Sequence, residues 1–276
     1  MKKNIITFIG GGNMAYSLIG GLIQTGVAPE DLRVTDPTAQ PLAAQHPINC
    51  YTDNIEAIQG AHVIVLAVKP QIMPEVAKAL SVALSPPYPL FISIAAGIRL
   101  HDLNHWLSGD SKHKLPIVRV MPNTPALVQS GASALFANKH VNKTQHELAE
   151  NILRAVGLTV WLEDEAHMDI VTALSGSGPA YFFLIMEVLE KAAINLGLSQ
   201  ETARLLTLQT AFGSAKMALE SQEDAASLRT KVTSKGGTTE QALQVLQQGG
   251  LQTLFDDALK AAQQRAIQLA EEFGVQ

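Results

Sequence analysis

Apolar and polar positions follow two different periods in the two halves of this chain. In the first half, short apolar runs at 5–9, 32–35, 62–68, 90–95, 117–120 and 132–136 predict strands. Stretches of helical period at 16–24, 71–84, 99–107 and 144–155 predict the helices between them. Residues 62–68 are apolar almost throughout, as in a parallel strand covered on both faces. From about residue 163 strand signals vanish, and helix-period segments follow at 179–196, 200–219, 239–247 and 251–273, separated by glycine or serine. The expected architecture is a doubly wound α/β domain over 1–162 followed by an all-α domain over 163–276. The run from Tyr181 to Met186 is too continuously apolar for a helix with one solvated face, so a partner is expected to bury it and the chain to be at least a dimer.

Composition narrows the class. A length of 276 residues suits two domains, and 47% hydrophobic content is ample for two cores. A net charge of -5 and a pI near 5.9 leave no basic footprint for nucleic acid. Cys50 is the sole cysteine, which excludes an internal disulfide and suits a reducing cytoplasm; it falls in a strand-like stretch and is expected in the core. Residues 180–186 are the most apolar stretch and are followed by Glu187 and Glu190, so no membrane span is expected. Lys2 and Lys3 ahead of an apolar run look like the start of a signal peptide, but that run ends in a glycine loop and is read as the first strand.

That loop carries the first chemistry. Strand 5–9 leads into Gly10, Gly11, Gly12, Asn13, Met14 and Ala15 and then into a helix, which is G-x-G-x-x-A in the context the motif requires. Gly10 makes the tight turn, Gly12 lets a pyrophosphate approach the backbone, and Ala15 permits helix and strand to pack closely, so the first domain is of Rossmann type. Asp36 ends the second strand roughly 20 residues on, where a carboxylate accepts from the adenosine ribose and favours NAD over NADP. Two further loops end strands, at 67–70 with Lys69 and Pro70, and at 121–125. In the second, prolines flank Asn123 and Thr124, whose amide and hydroxyl are candidates for the nicotinamide carboxamide. His101 and His105 share a helix face but lack a third ligand, so no metal site is expected.

Residues 232–243 hold the second chemistry. Ser234, Gly236, Gly237, Thr238 and Thr239 lead into a helix, with Thr238 and Gln241 forming a plausible capping box, and the first-turn amides suit a carboxylate.

Together with 67–70, 93–97, 121–125, 174–181 and 213–217, these segments resemble pyrroline-5-carboxylate reductase over essentially the whole chain. The resemblance implies reduction of 1-pyrroline-5-carboxylate to L-proline by NADPH or NADH, with helical domains of two subunits interlocked. It implies that Ser234, Gly237, Thr238 and Thr239 hold the substrate, with Glu223 nearby. Gly10, Gly11, Gly12, Asn13, Met14, Asp36, Asn54, Val68, Lys69, Pro70, Ala95, Ala96 and Asn123 would surround the dinucleotide. Lys235 stands where many members have proline, and Asp36 where many have a small or polar residue and use NADPH. With no histidine or cysteine in the substrate motif, Thr239 is expected to orient the ring nitrogen of a partly protonated imine while amides at 237–239 bind its carboxylate. The first domain holds the nicotinamide and the second the substrate motif, which places the active site at an interface. A β-hydroxyacid dehydrogenase would need a lysine early in the long helix, and 179–187 has none. A dinucleotide sensor without turnover would leave the carboxylate-binding segment unexplained.

Overall fold

The computed structural model describes residues 4–37, 47–109 and 114–274; Lys2 and Lys3 lie outside them. Strands β1 (Ile6–Ile9), β2 (Leu32–Thr35), β3 (Asn49–Tyr51), β4 (Val63–Leu66), β5 (Leu90–Ser93), β6 (Ile117–Met121), β7 (Gly131–Ala137) and β8 (Gly157–Trp161) form one sheet in the order β3-β2-β1-β4-β5-β6-β7-β8. Pairing is parallel except between β6 and β7. Helices α1 (Asn13–Gln24), α2 (Asn54–Ala57), α3 (Met73–Ser81), α4 (Leu100–Ser108) and α5 (Lys143–Arg154) connect the strands.

Period-two alternation decides which face each residue serves. Phe8, Val63, Val65, Leu90 and Ile92 point to a core closed by Leu18, Ile19 and Leu22 of α1 and Ile152 and Leu153 of α5. Ile9, Ile64, Leu66 and Phe91 point the other way, against Leu80 of α3 and Leu103, Trp106 and Leu107 of α4. Both faces are dry, which is why these strands read as nearly continuous apolar runs.

Arg119 interrupts that pattern. It lies in the middle of β6 at 4% exposure, donates to Glu165 at 2.9 Å and reaches toward Asp169 at 3.7 Å. Glu165 also accepts from the amide of Leu100 at 2.8 Å, tying the first turn of α4 to the sheet. Two carboxylates thus compensate a desolvated guanidinium.

Contacts divide the chain into two compact units. One runs to Ser177 and takes in the C-terminal stretch from Ala262; the other is Gly178–Ala261. The expected boundary at 162 falls earlier because α6 (His167–Val171), with the buried Met168, and the π turn Thr172–Gly176 belong to the first unit. The end of α11 (Leu251–Phe273) joins it too, burying Ala266 and Ala270 and packing Phe273 and Leu269 where a Cβ on Gly97 would sit.

The second unit contains α7 (Gly178–Asn195), α8 (Gln200–Glu220), α9 (Ala225–Lys231), α10 (Thr238–Gln248) and the start of α11. Among its described residues Ala203 is the only buried hydrophobic one, whereas Phe182, Phe183 and Leu184 are 65%, 64% and 59% exposed. The stretch His167–Asn195 holds an 18-residue window of mean hydropathy 1.2, long and apolar enough to cross a membrane by length and composition.

Three other expectations change. Cys50 is exposed on the edge strand β3 rather than in the core, and partial burial pushes its thiol up, the direction opposite to that of an activated nucleophile. Strand β8 and helix α9 went unseen, being short and interleaved with polar residues. Helix α5 is closed by a capping box between Asn142 and Gln145, which fixes its start one residue before the periodicity does.

Two outcomes are expected. The purified protein sediments as at least a dimer, and Phe183→Glu with Leu184→Glu shifts it toward monomer or aggregate, since each buried side chain of this size contributes about 1.5–3 kcal/mol; a stable, active monomer would contradict this. Arg119→Ala destabilises the protein by about 3–5 kcal/mol in urea unfolding because Glu165 and Asp169 lose their partner. A change below about 1 kcal/mol would show that water screens the cluster.

Candidate active site

The glycine loop is held by contacts only glycine permits. Gly10 has φ 100°, donates to the Thr35 carbonyl at 2.8 Å, and a Cβ there would stand 2.7 Å from the Ala67 carbonyl oxygen. Backbone therefore meets backbone at the carboxyl ends of β1, β2 and β4. Gly12 is the N-cap of α1 and has open space around its missing Cβ, with no side chain capping the helix. First-turn amides left without a side-chain cap beside open space fit a pyrophosphate.

Asp36 accepts from the Gly11 amide at 2.8 Å, so its carboxylate is held against the phosphate loop. Asn54, the first residue of α2, accepts from the Thr35 hydroxyl beside it, while Asp53 caps that helix by accepting from Glu56 at 2.9 Å. Half-buried Val68 lies against the Gly10 position, and exposed Lys69 is the N-cap of the short 3₁₀ turn Pro70–Ile72. Ala95 is buried and Ala96 half-buried after β5, before Gly97 with φ 74°. These residues, together with Asn13 and Met14 at the start of α1, gather at the carboxyl ends of the parallel strands, where such sheets bind ligands.

Asn123 lies at the same edge, after β6, but its amide is engaged inside the protein. Its Oδ1 accepts from the Ala132 amide at 2.8 Å and its Nδ2 donates to the Ser175 carbonyl at 3.1 Å. These two bonds tie the 121–125 loop to the π turn. Thr124 is exposed at the start of the 3₁₀ turn Thr124–Val128.

The segment 234–239 belongs to the second unit. Gly236 has φ 73° and donates to Glu240 Oε2 at 2.7 Å, and Gly237 donates to the Ser234 carbonyl at 3.0 Å. Gly237 is the N-cap of α10, whose ladder opens with Gln241 donating to the Gly237 carbonyl at 3.3 Å. The expected capping box of Thr238 and Gln241 is not formed; Glu240 instead folds back onto Gly236. Since the Gly237 amide closes the turn, the first-turn amides aimed outward are those of Thr238 and Thr239, and both residues are exposed.

Ser234 is exposed. Glu223, just before α9, pairs with Lys231 at its end rather than with this segment. Asp224, the N-cap of α9, accepts from Ser227 at 2.7 Å, which holds its carboxyl below the usual range.

Sequence reasoning missed Arg119, Glu165 and Ser175. A lone arginine inside an apolar strand was a visible signal, because a buried charge requires a partner; the Ser175 carbonyl left none. His101 and His105 are exposed on α4, and among the described residues no cluster of His, Cys, Asp and Glu could hold a metal. Lys191, the first lysine of α7, is exposed and paired with Glu187.

Comparison with known proteins matches the two halves of the chain separately. Residues 5–97 match the family profile described as NADP oxidoreductase, coenzyme F420-dependent, and residues 165–269 match that described as pyrroline-5-carboxylate reductase dimerisation. The exposed apolar helices therefore belong to a dimerisation segment, and the chain forms a homo-oligomer. Pyrroline-5-carboxylate reductase of Pseudomonas aeruginosa is 51% identical over 99% of this chain and 100% of its own length. A pyrroline-5-carboxylate reductase structure from Coxiella burnetii has a TM-score of 0.92 at 47% identity, covering 98% of this chain and 99% of that one. The Plasmodium falciparum pyrroline carboxylate reductase with NADP bound has a TM-score of 0.86 at 31% identity, covering 98% of this chain and 99% of that one. With a relative this similar over its full length, a dinucleotide-binding α/β unit and a helical dimerisation segment, the chain belongs to the pyrroline-5-carboxylate reductase family, and its activity is the reduction that forms proline.

Proposed function

We propose that the glycine loop from Gly10 to Met14, with Asp36, Asn54, Val68, Lys69, Pro70, Ala95 and Ala96, surrounds the dinucleotide, and that Ser234, Gly237, Thr238 and Thr239 hold 1-pyrroline-5-carboxylate. The carrying observation is the pair of helix starts at Gly12 and Gly237, neither capped by a side chain. Asp53, Asn142, Ser199 and Asp224 cap theirs, and although α3, α4 and α6 also start without a side-chain cap, they do so at Ile72, Arg99 and Ala166 rather than at a glycine. An uncapped start suits an anion, a pyrophosphate at the first and a carboxylate at the second. The reduced dinucleotide supplies hydride to the imine carbon.

The protein's own part is positioning. The amides of Thr238 and Thr239 bind the carboxylate, and the Thr239 hydroxyl accepts from the protonated ring nitrogen. The imine enters carrying its proton, so no acidic side chain is needed in the motif. Gly237 contributes by having no side chain, since a Cβ would lie 3.1 Å from the Ser234 carbonyl. Cys50, unpaired and exposed, suits a reducing compartment, and we place the reaction in the cytoplasm.

Cofactor choice turns on Asp36. Its carboxylate is fixed on the Gly11 amide, no lysine or arginine follows it until Lys69, and Arg33 before it is engaged by the carbonyls of Ala57 and Gln59, so a 2′-phosphate would meet a negative charge. This favours NADH. The second reading is NADPH, supported by the bound NADP of the Plasmodium relative.

Thr239→Val is expected to lower kcat by about ten- to a hundredfold, the worth of one hydrogen bond to a charged group, with NAD(P)H affinity unchanged. Steady-state kinetics with 1-pyrroline-5-carboxylate test this, and unaltered kcat would remove Thr239 from the mechanism. Asp36→Ser should shift the ratio of kcat/KM values toward NADPH by about ten- to a hundredfold, since a carboxylate near a phosphate costs about 1–3 kcal/mol in a surface cleft and 1.4 kcal/mol is tenfold. Measured at fixed ionic strength, a wild type that strongly prefers NADPH and a ratio unmoved by the substitution would overturn the ribose assignment.

A further inference from the structure

The π turn Thr172–Gly176 opens the helical path into α7 and is closed by Ser177 donating to the Thr172 carbonyl at 2.8 Å. Such turns occur frequently at functional sites. In α register the carbonyl of Ser175 would accept from the amide four residues on, but that residue is Pro179, which has none, and only the wider register of a π turn would offer the Ala180 amide instead. Asn123 Nδ2 supplies a donor to this carbonyl at 3.1 Å, and the same amide group accepts from Ala132 at 2.8 Å. The orientation of the amide is therefore fixed from both ends. Beside it, a Cβ on Gly176 would stand 2.4 Å from the Met121 methyl carbon, so turn and loop also interlock by packing.

We propose that Asn123 is a positioning residue whose side-chain amide replaces the backbone donor that Pro179 lacks, locking the turn 172–176 onto the loop 121–125. The inference rests on the reading that the dinucleotide lies along the carboxyl ends of the strands. Asp36 after β2 marks the adenosine side, which leaves the loops after β4, β5 and β6 to the nicotinamide. A loop released there would let the reacting ring wander while leaving the adenosine end untouched, and misplacement of about 1 Å can lower turnover a hundredfold.

The test couples Asn123 to Pro179. Asn123→Ala should lower kcat by about ten- to a hundredfold, while the Kd of ADP-ribose, a probe of the adenosine and pyrophosphate end, stays within about twofold of wild type. Pro179→Ala returns an amide N–H in register with the Ser175 carbonyl, so the double variant should recover kcat to within about threefold of wild type, a non-additivity that independent sites do not show. Asn123→Asp, which keeps an acceptor for Ala132 but removes the donor, should behave like Asn123→Ala and serves where that variant does not fold. A wild-type kcat in both Asn123 variants, or a double variant no faster than Asn123→Ala, would overturn the proposal. Weakened ADP-ribose binding in a folded Asn123 variant would also overturn it, by making Asn123 a ligand contact. Wild-type protein without activity toward 1-pyrroline-5-carboxylate would instead defeat the functional reading, and ADP-ribose binding reports separately from it.

Discussion

Apolar surface without a core governs the helical half of this protein. Residues 178–261 bury one alanine, Ala203, while Phe182, Phe183, Leu184, Val188 and Leu189 stand in solvent along one helix. A helix apolar around most of its circumference has no amphipathic solution within a single chain, and hydrophobic burial is the dominant favourable contribution to folding. The family match over 165–269 says how the constraint is met, by dimerisation, so the same surface that qualifies as a membrane span by length and composition is an interface between copies. Assembly of the oligomer thereby adds to the stability of this half.

The sheet half solves the opposite problem. Its core is complete on both faces, and its functional features lie where the strands end and the backbone comes close to itself. Gly10 against the Ala67 carbonyl, Gly12 in open space and Asp36 on the Gly11 amide make one small structure out of β1, β2 and β4. One device recurs in the helical half at Gly237, where a helix begins on a glycine without a side-chain cap. Neither helix start has a side-chain cap, which is what the proposed anion sites require. That suits the proposed mechanism, in which hydride passes to an imine that enters protonated and the protein contributes alignment.

Polar groups inside the first unit follow a stricter rule, because an unpartnered buried donor or charge is costly. Arg119 between Glu165 and Asp169, with Glu165 also holding the Leu100 amide, ties β6 to the loop that carries Ala95 and Ala96. Asn123 does the same for the 121–125 loop and the π turn. Such ties stiffen the side of the sheet proposed for the nicotinamide.

The sequence by itself determined most of the element types, the two-domain plan, the glycine loop and the 234–239 segment. Each of these is a local pattern: a period of two or 3.6, or a spacing of small residues at a strand or helix end. Which polar atom meets which was decided by the tertiary structure alone. Asn123 finds Ser175, Arg119 finds Glu165, Asp36 finds Gly11, and Cys50 falls on a sheet edge instead of in the core. Glu240 displaces the expected capping box at Thr238 because the turn at Gly236 brings an amide within its reach. Periodicity records which face of an element is dry; a hydrogen-bond partner depends on which distant backbone group the packing delivers, and no local pattern encodes that.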